Sequence, residues 1–385
     1  EPPVKPARQR ICFVVSSPLT IRAFLTDHIA ALSAKFDVSV AANANPDTFA
    51  NEGLNARMFG VPLERRISPL RDVRALVRLA RLFTAHRFRV VHSVTPKAGL
   101  LAMLAAWLTR VPVRIHTFTG QVWATRRGAG RMLLRAMDGL IARLATHVLV
   151  DSPSQRDFLI ESGVVSAVKA SVLANGSICG VDGGRFRPDA AARTKIRIET
   201  RVRNDAVVFL YLGRLSRDKG VLDLARAFAG LAAQHAGAHL VLVGPDEEGL
   251  RGRVEDIVGK FADRLSVVEF TARPEESMAA ADVFCLPSYR EGFGQVAIEA
   301  SATGLPVIAS RIYGIVDAVV EGETGLLHAP ADVEALRSHM DTLMLRPDLR
   351  RKLGEAGRAR ALRDFSAKRV TRALLEYYAG VTAKL

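Results

Sequence analysis

Two glutamates in the second half of the chain occupy sequence positions from which they could contact a ligand rich in hydroxyl groups. Glu291 lies beside Gly292 and Gly294, where the backbone allows a ligand to approach closely. Glu299 follows within an apolar segment, and a carboxylate there is costly to bury unless hydrogen bonds are donated to it. A pair of sugar hydroxyls would supply them. The alternative is that Glu291 only favours a helix start and that Glu299 is solvated on the outer face of the helix.

Arg214 and Lys219, two of the three cations in the segment 213–220, suggest an anionic group on the same ligand. They follow an apolar run of strand length and precede a predicted helix. Cations beside a helix N-terminus suit a diphosphate. Lys219 precedes Gly220, which is not the order of the Walker pattern, so a P-loop ATPase is not indicated. The alternative is a pair of surface cations that flank a turn.

A strand–loop–helix–strand unit positions the two glutamates. The apolar runs 281–286 and 307–310 predict strands, and the segment between them predicts a loop and a helix that Gly304 could end. Strands and helices alternate in this way along the whole chain. This alternation predicts doubly wound parallel sheets, whose strand-end loops collect at the edge where ligands bind.

The predicted fold class is α/β, with two Rossmann-like domains that face each other across a cleft. A glycine-rich segment near 174–190 marks the boundary, so the domains are residues 1–184 and 185–385. The last helix, about 366–385, is expected to pack back on the first domain. In that domain the strand-end loops should bring Ser17, His92 and His116 to one edge. Each histidine has a functional and a structural interpretation.

The positive charge of the chain is concentrated in its first half. Residues 1–190 contain 26 Lys and Arg against 13 Asp and Glu, and the remainder contains 28 against 26. Arg71, Arg74, Arg78 and Arg81 fall on one helical face, and a second cluster follows at 126–135. Basic amphipathic helices of this kind indicate contact with an anionic membrane surface. An Arg-rich solvated face is the alternative, and nucleic acid is disfavoured because aromatic residues make up only 6% of the chain.

Neither a metal site nor a membrane span is predicted. The three cysteines are isolated, no Asp-x-Asp pair occurs, and the nine histidines are scattered. Unpaired cysteines suggest a reducing compartment. No apolar run reaches the roughly 18–20 residues that a spanning helix needs, and no signal peptide is recognisable. We therefore expect a cytoplasmic protein, peripherally associated with the inner face of the membrane.

The motifs resemble those of a known family. Residues 288–299 resemble the E-x7-E signature of retaining nucleotide-sugar glycosyltransferases with the GT-B fold, of the family-four type. The cations of 213–220 are similar to the second signature of that family. Segments 91–99, 145–149 and 175–186 resemble bacterial members that build capsule, O-antigen or other lipid-linked oligosaccharides.

The resemblance implies a function and a set of contacts. A hexose would be transferred with retention, without a metal or other cofactor, from a UDP-sugar to a polyprenyl-diphosphate-linked saccharide received by the first domain. Arg214 and Lys219 would hold the diphosphate, Glu291 the sugar hydroxyls and Glu299 the ribose hydroxyls. The other residues expected to contact the donor are Ser17, Arg273, Gly292, Phe293, Gly294 and Gln295.

The first domain departs from the family pattern at two places, and one is the N-terminal loop, which is glycine-rich in many relatives and here reads Ser16-Ser-Pro18. Relatives often have a histidine in the loop after the strand that ends near 117, where this chain has Thr119. The contact to the donor sugar is therefore lost, altered or shifted to His116, and we keep both residues as candidate catalytic residues. Two further functions stay open at this point: a nucleotide-sugar 2-epimerase of the same fold, and a non-catalytic subunit. The basic first half and the E-x7-E spacing favour the transferase.

Overall fold

The structure is a computed structural model that describes residues 8–45, 54–64 and 68–383. The chain forms two compact units, Glu1–Cys179 with Ala367–Leu385, and Gly180–Ser366. The chain therefore leaves the first unit between Cys179 and Gly180, a few residues before the division expected from the sequence, and returns to it at Ala367. The predicted last helix is observed at Ala367–Thr382 within the first unit, and residues 384 and 385 lie outside the described ranges.

The first unit contains a seven-stranded parallel sheet in the order β3-β2-β1-β4-β5-β6-β7. Helices cover both faces of the sheet, which explains why its central strands are almost continuously apolar. The strands are β1 Arg10–Val15, β2 Asp37–Ala42, β3 Arg57–Gly60, β4 Val90–Val94, β5 Val113–Phe118, β6 His147–Val150 and β7 Ala170–Val172.

The helices of the first unit form two layers. α3, α4 and α5 lie side by side on one face, and α2 packs with the last helix, α15, on the other. The helices are α1 Pro18–Thr20, α2 Thr26–Ser33, α3 Pro69–His86, α4 Pro96–Leu108, α5 Gly128–Leu144, α6 Pro153–Glu161 and, after the second unit, α15 Ala367–Thr382. A π-helical turn, Ile21–Leu25, joins α1 to α2, whereas the sequence predicts one continuous helix over about 21–35.

The second unit contains a six-stranded parallel sheet in the order β10-β9-β8-β11-β12-β13. Its strands are β8 Val207–Leu212, β9 Ala238–Val243, β10 Leu265–Val268, β11 Val283–Leu286, β12 Val307–Ser310 and β13 Gly325–His328. Its helices are α7 Ala190–Glu199, α8 Val221–Gln234, α9 Arg251–Val258, α10 Pro274–Ala280, α11 Gln295–Ala302, α12 Ile315–Ala318, α13 Val333–Leu345 and α14 Pro347–Asp364.

Strand order reverses once in each sheet, between β1 and β4 in the first unit and between β8 and β11 in the second. The helices that follow these neighbouring strands cover opposite faces of the sheet, which leaves room for a ligand at the carboxyl edge. Ligands of open α/β sheets bind at such positions. In the second unit, the two loops at this position are 213–220 and 287–294.

The predicted α/β class with two parallel-sheet domains is confirmed. Apolar periodicity does not indicate several short or polar elements, among them β3, α6, β7, α7, α9 and α12. The segment 265–270 predicts a longer strand than β10, which ends at Val268. No helix within the described ranges is both long and apolar enough to cross a membrane.

Candidate active site

Two loops meet at the reversal of strand order in the second unit. We call residues 213–220 the Arg–Lys loop and residues 287–294 the glutamate loop. β8 pairs directly with β11, so the two loops start side by side. Gly220 allows their contact, because a Cβ atom at this position would lie 2.0 Å from the Pro287 carbonyl oxygen. The backbone N–H of Tyr289 donates to the carbonyl of Asp218 at 2.8 Å and joins the loops further.

Lys219 and Glu291 form the central contact between the two loops. Lys219 Nζ lies 2.6 Å from Glu291 Oε1, and both side chains are more than four-fifths buried, with 18% and 15% exposed. The Ser288 hydroxyl donates to the same oxygen at 2.9 Å. Within the described part of the chain both bonds go to Oε1, which leaves Oε2 to accept hydrogen bonds from a ligand.

Asp218 and Arg290 form a second link between the loops. Arg290 Nη2 donates to Asp218 Oδ2 at 2.8 Å, and the Ser216 hydroxyl also donates to this carboxylate. Burial acts to raise the pKa of Asp218, but the Ser216 hydroxyl and three neighbouring cations outweigh it and hold the pKa below its usual value. A charged Asp218 therefore orients the cations around it. Neither residue is among the site residues predicted from the sequence, although Asp218 lies within residues 213–220 and Arg290 within residues 288–299.

Arg214, the other predicted diphosphate contact, is also paired with carboxylates. Its Nη1 donates to Glu247 Oε2 at 2.6 Å, and its Nη2 lies 3.9 Å from Asp218 Oδ2. Arg273 lies further along the carboxyl edge, between β10 and α10. Its exposed guanidinium pairs with Glu276 at 2.6 Å. No hydrogen bond or ion pair between Arg273 and the two loops is observed among the described residues.

The residues predicted to offer backbone amides lie where the glutamate loop enters α11. Gly292, Phe293 and Gly294 are buried, and the Phe293 ring packs on Phe365 with centroids 5.1 Å apart. α11 begins at Gln295. The start of a helix presents backbone N–H groups that have no partner within the helix, and such groups suit an anion.

Glu299 lies one turn further along α11 in a mostly apolar setting. Burial raises the pKa of its carboxyl to about 7, against the opposing effect of a hydrogen bond from Gln295 Nε2 at 3.2 Å. Gln295 Nε2 also donates to the Gly180 carbonyl at 2.7 Å, which fixes its position. A carboxyl with this pKa changes its charge near neutral pH, and donated hydrogen bonds from a ligand would stabilise the charged form.

In the first unit, Ser17 and Thr119 follow β1 and β5 at the carboxyl edge. The Ser17 side chain accepts a hydrogen bond from the Leu19 N–H at 3.3 Å and begins α1. The Thr119 carbonyl accepts from Gln121 Nε2 at 2.6 Å and from Gln155 Nε2 at 2.7 Å. Both residues are half-buried. Their predicted contacts with a donor stay predictions.

His116 lies inside the first unit, where α4 covers it. The side chain is 0% exposed, and its Nδ1 is 2.8 Å from the Ser93 hydroxyl. Gly99 of α4 makes room for the ring, because a Cβ atom there would lie 2.3 Å from His116 Cε1. Burial lowers the pKa of His116 to about 3, so the imidazole is neutral. This position favours a structural role over contact with a substrate.

Comparison with known proteins assigns the chain to a family. Residues 21–176 match the description Glycosyl transferase 4-like domain, and residues 192–360 match Glycosyl transferases group 1. The capsular polysaccharide biosynthesis glycosyltransferase CapM of Staphylococcus aureus is 30% identical over 320 residues, which are 83% of this chain and 83% of CapM. The UDP-Gal:alpha-D-GlcNAc-diphosphoundecaprenol alpha-1,3-galactosyltransferase of Escherichia coli is 29% identical over 269 residues, 68% of this chain and 67% of that enzyme.

A solved structure extends the similarity to the fold of nearly the entire chain. Sucrose-phosphate synthase from Thermosynechococcus elongatus superposes with a TM-score of 0.81 and 25% identity, covering 98% of this chain and 100% of that one. The chain therefore belongs to the bacterial group 1, family-four type glycosyltransferases with the GT-B fold, as its motifs predict. It is a glycosyltransferase. The names of these proteins differ in substrate and product, so membership establishes sugar transfer but neither the donor nor the acceptor.

Proposed function

We propose that this glycosyltransferase transfers a hexose from a UDP-sugar to a polyprenyl-diphosphate-linked saccharide, with retention of configuration, in the assembly of a bacterial surface polysaccharide. The observation that carries the proposal is the Lys219–Glu291 pair, which joins both signature loops at the reversal of strand order. The names of the S. aureus capsular relative and of the E. coli relative, with its UDP-Gal and diphosphoundecaprenol, support these substrate classes.

In the proposed reaction Arg214 and Lys219 bind the diphosphate of the donor. The bond between the anomeric carbon and the diphosphate oxygen breaks, and the two cations stabilise the charge that develops on the diphosphate. An acceptor hydroxyl forms the new bond to the anomeric carbon, and its proton passes to the departing phosphate oxygen. Because the side chains of Arg214 and Lys219 stabilise the charge on the departing diphosphate, we propose that no metal ion or other cofactor takes part.

The two glutamates select the sugar and the nucleoside. Glu291 Oε2 accepts hydrogen bonds from sugar hydroxyls, while Lys219 and Ser288 hold Oε1. Glu299 accepts from both ribose hydroxyls, which offsets the cost of its burial in the charged form. The backbone amides of residues 293–295 add contacts to the diphosphate at the start of α11.

The first unit is proposed to contact the membrane that holds the acceptor. Exposed apolar side chains occur at the N-terminal halves of α3 and α5, with Leu70 88% and Met132 72% exposed. Exposed arginines surround them, so the surface is both basic and apolar, as an anionic membrane interface requires. These arginines are Arg71, Arg74, Arg78 and Arg81 on or beside one face of α3, and Arg126, Arg127, Arg131 and Arg135 at α5. We propose that the protein acts at the cytoplasmic face of the cell membrane.

A donor screen in vesicles tests the proposal. Full-length protein is mixed with UDP- and GDP-sugars, with or without a polyprenyl-diphosphate-linked saccharide, in vesicles of anionic or purely zwitterionic lipid. Nucleotide release and the fate of the sugar are followed, with Glu291→Ala protein as the control for contaminating enzymes. Release of UDP that depends on the acceptor, and is faster on anionic vesicles, is expected.

The other outcomes separate the parts of the proposal. Conversion of the donor without acceptor would instead identify an epimerase, and release from GDP-sugars alone would overturn the choice of nucleotide. Equal rates on the two kinds of vesicle would contradict the proposed membrane contact but not the proposed transferase activity. Absence of any turnover in the presence of every donor and acceptor would favour a non-catalytic subunit.

A further inference from the structure

Two adjacent glutamates, Glu247 and Glu248, face the Arg–Lys loop from the loop that follows β9. β9 pairs with β8 along its entire length, so these loops are neighbours. Glu247 Oε2 accepts from Arg214 Nη1 at 2.6 Å, whereas Glu248 Oε2 lies 3.4 Å from Arg217 Nε. Of this pair of adjacent carboxylates, Glu247 is therefore the one that contacts a cation of the proposed diphosphate site.

The backbone beneath Glu247 is fixed to the Arg–Lys loop, but its side chain reaches solvent. The Leu215 N–H donates to the Pro245 carbonyl at 2.8 Å, and Leu215 forms an isolated β-bridge with Asp246. The side chains of Arg214 and Glu247 are 39% and 37% exposed. Both side chains of this ion pair are therefore partly accessible to solvent and to a ligand.

A bound diphosphate and the Glu247 carboxylate would compete for the guanidinium of Arg214. Diphosphate oxygens that contact the guanidinium would lie within a few ångströms of the Glu247 carboxylate, and the like charges would repel. Asp218, the second carboxylate near Arg214, is held by Ser216 and Arg290 and cannot move without breaking both contacts. Glu247 is the more exposed of the two carboxylates, at 37% against 25% for Asp218, so it is the one that a diphosphate would displace.

We propose that Glu247 is a counter-ion that holds Arg214 in the unliganded site and is displaced by the diphosphate of the donor. The inference rests on the proposed function, because it takes Arg214 as a diphosphate ligand. Glu247 acts through Arg214 and is thus a positioning residue. It orients the guanidinium before binding, and it returns as the nucleoside diphosphate leaves. Its competition lowers the affinity for the UDP-sugar and for UDP alike, which prevents the product from staying bound.

The sequence offers a matched pair of variants for the test. UDP binding to full-length wild type, Glu247→Gln and Glu248→Gln is measured by titration calorimetry at pH 8, at low and high salt. Glu247→Gln is expected to bind UDP about three- to tenfold more tightly, and Glu248→Gln within about twofold of wild type. The difference should shrink at high salt, because the competing charges are partly exposed and screened. In turnover, the KM for the donor should fall without a rise in kcat.

Arg214→Ala distinguishes a failure of this inference from a failure of the proposed function. Unchanged UDP binding in Arg214→Ala would contradict the diphosphate role of Arg214 and with it the proposed donor site. Weakened binding in Arg214→Ala, together with unchanged or weaker binding in Glu247→Gln, would overturn the counter-ion role alone. Equal tightening in both glutamine variants would also overturn it, because the effect would then follow from net charge and not from the ion pair.

Discussion

Both units are built on a doubly wound parallel sheet, but the polar side chains at the carboxyl edges of the two sheets differ. At the strand-order reversal of the second unit, charged side chains link the loops, as in Lys219–Glu291 at 2.6 Å. At the corresponding reversal of the first unit, the Ser16 and Thr95 hydroxyls lie 3.2 Å apart. Just below that edge, His92 is buried, with Nε2 2.7 Å from the Thr117 hydroxyl and Nδ1 2.7 Å from the Tyr378 hydroxyl.

This difference shows which polar groups are available to a ligand. The neutral hydrogen bonds around His92 use both of its ring nitrogens, and burial lowers its pKa to about 3. The ion pairs of the second unit leave carboxylate oxygens and guanidinium groups partly exposed. Burying paired charges costs free energy, and a charged ligand that completes their contacts offsets that cost. A histidine at a strand end is therefore a weaker indicator of function than a group of ion pairs at the same edge.

The largest expected effect comes from breaking the central pair of the second unit. Lys219→Ala and Glu291→Ala should each reduce turnover at least ~100-fold, because each removes a preorganised charge at the reacting groups and leaves its partner uncompensated. Initial rates of UDP release measure the loss, and circular dichroism verifies folding. Lys195→Ala is the control, since Lys195 pairs with Glu276 at 3.3 Å elsewhere on the same unit. Near-normal rates in the folded Lys219 or Glu291 variants would contradict the proposed site.

A smaller effect, on stability, is expected from His92→Gln in the first unit. The unfolded chain protonates His92 near pH 6.5, but burial lowers the native pKa to about 3, so this residue destabilises the native state as the pH falls below 6.5. Between pH 7 and pH 5 the wild type should lose about 2 kcal/mol of unfolding free energy relative to the variant. Urea unfolding followed by tryptophan fluorescence measures it, because both tryptophans, Trp107 and Trp123, lie in the first unit.

Two results of the His92 experiment would weaken the contrast between the units. Stability curves of wild type and variant that stay parallel from pH 7 to pH 5 would mean that His92 is accessible to protons in the native state. A large loss of turnover in the folded variant at pH 7 would give His92 a functional role, and the first unit would then also carry reactive groups at its edge.

The smallest effect concerns the pH dependence of donor binding through Glu299. Its pKa of about 7 means that the carboxylate form, which accepts ribose hydroxyls, gains population from pH 6 to pH 8. Affinity for the UDP-sugar identified in the donor screen should rise by up to about tenfold over this range. Calorimetry at several pH values measures the rise, and Glu299→Gln should bind with no such dependence. The same slope in both proteins would exclude Glu299 from the ribose contact.

Much of the secondary structure of the second unit could be predicted because it depends on residue patterns within short segments of the sequence. The apolar run 207–212 coincides with β8, and the runs before and after the glutamate loop contain β11 and β12. Gly304 follows the end of α11 with φ +89°, as its predicted place after the helix requires. Short elements such as α9 and β7 carry too few apolar residues for their periodicity to be recognised.

The sequence by itself determined the family, the α/β class and the loops that carry Arg214, Lys219, Glu291 and Glu299. These features depend on residue type and spacing along the chain, which the sequence contains directly. Only the tertiary structure decided that Lys219 pairs with Glu291, that Glu247 reaches Arg214, and that the ring of His116 lies against Gly99. Those contacts depend on the order of strands in each sheet and on the face that each side chain occupies. Neither is fixed by local periodicity, because both follow from the packing of segments that are distant in the chain.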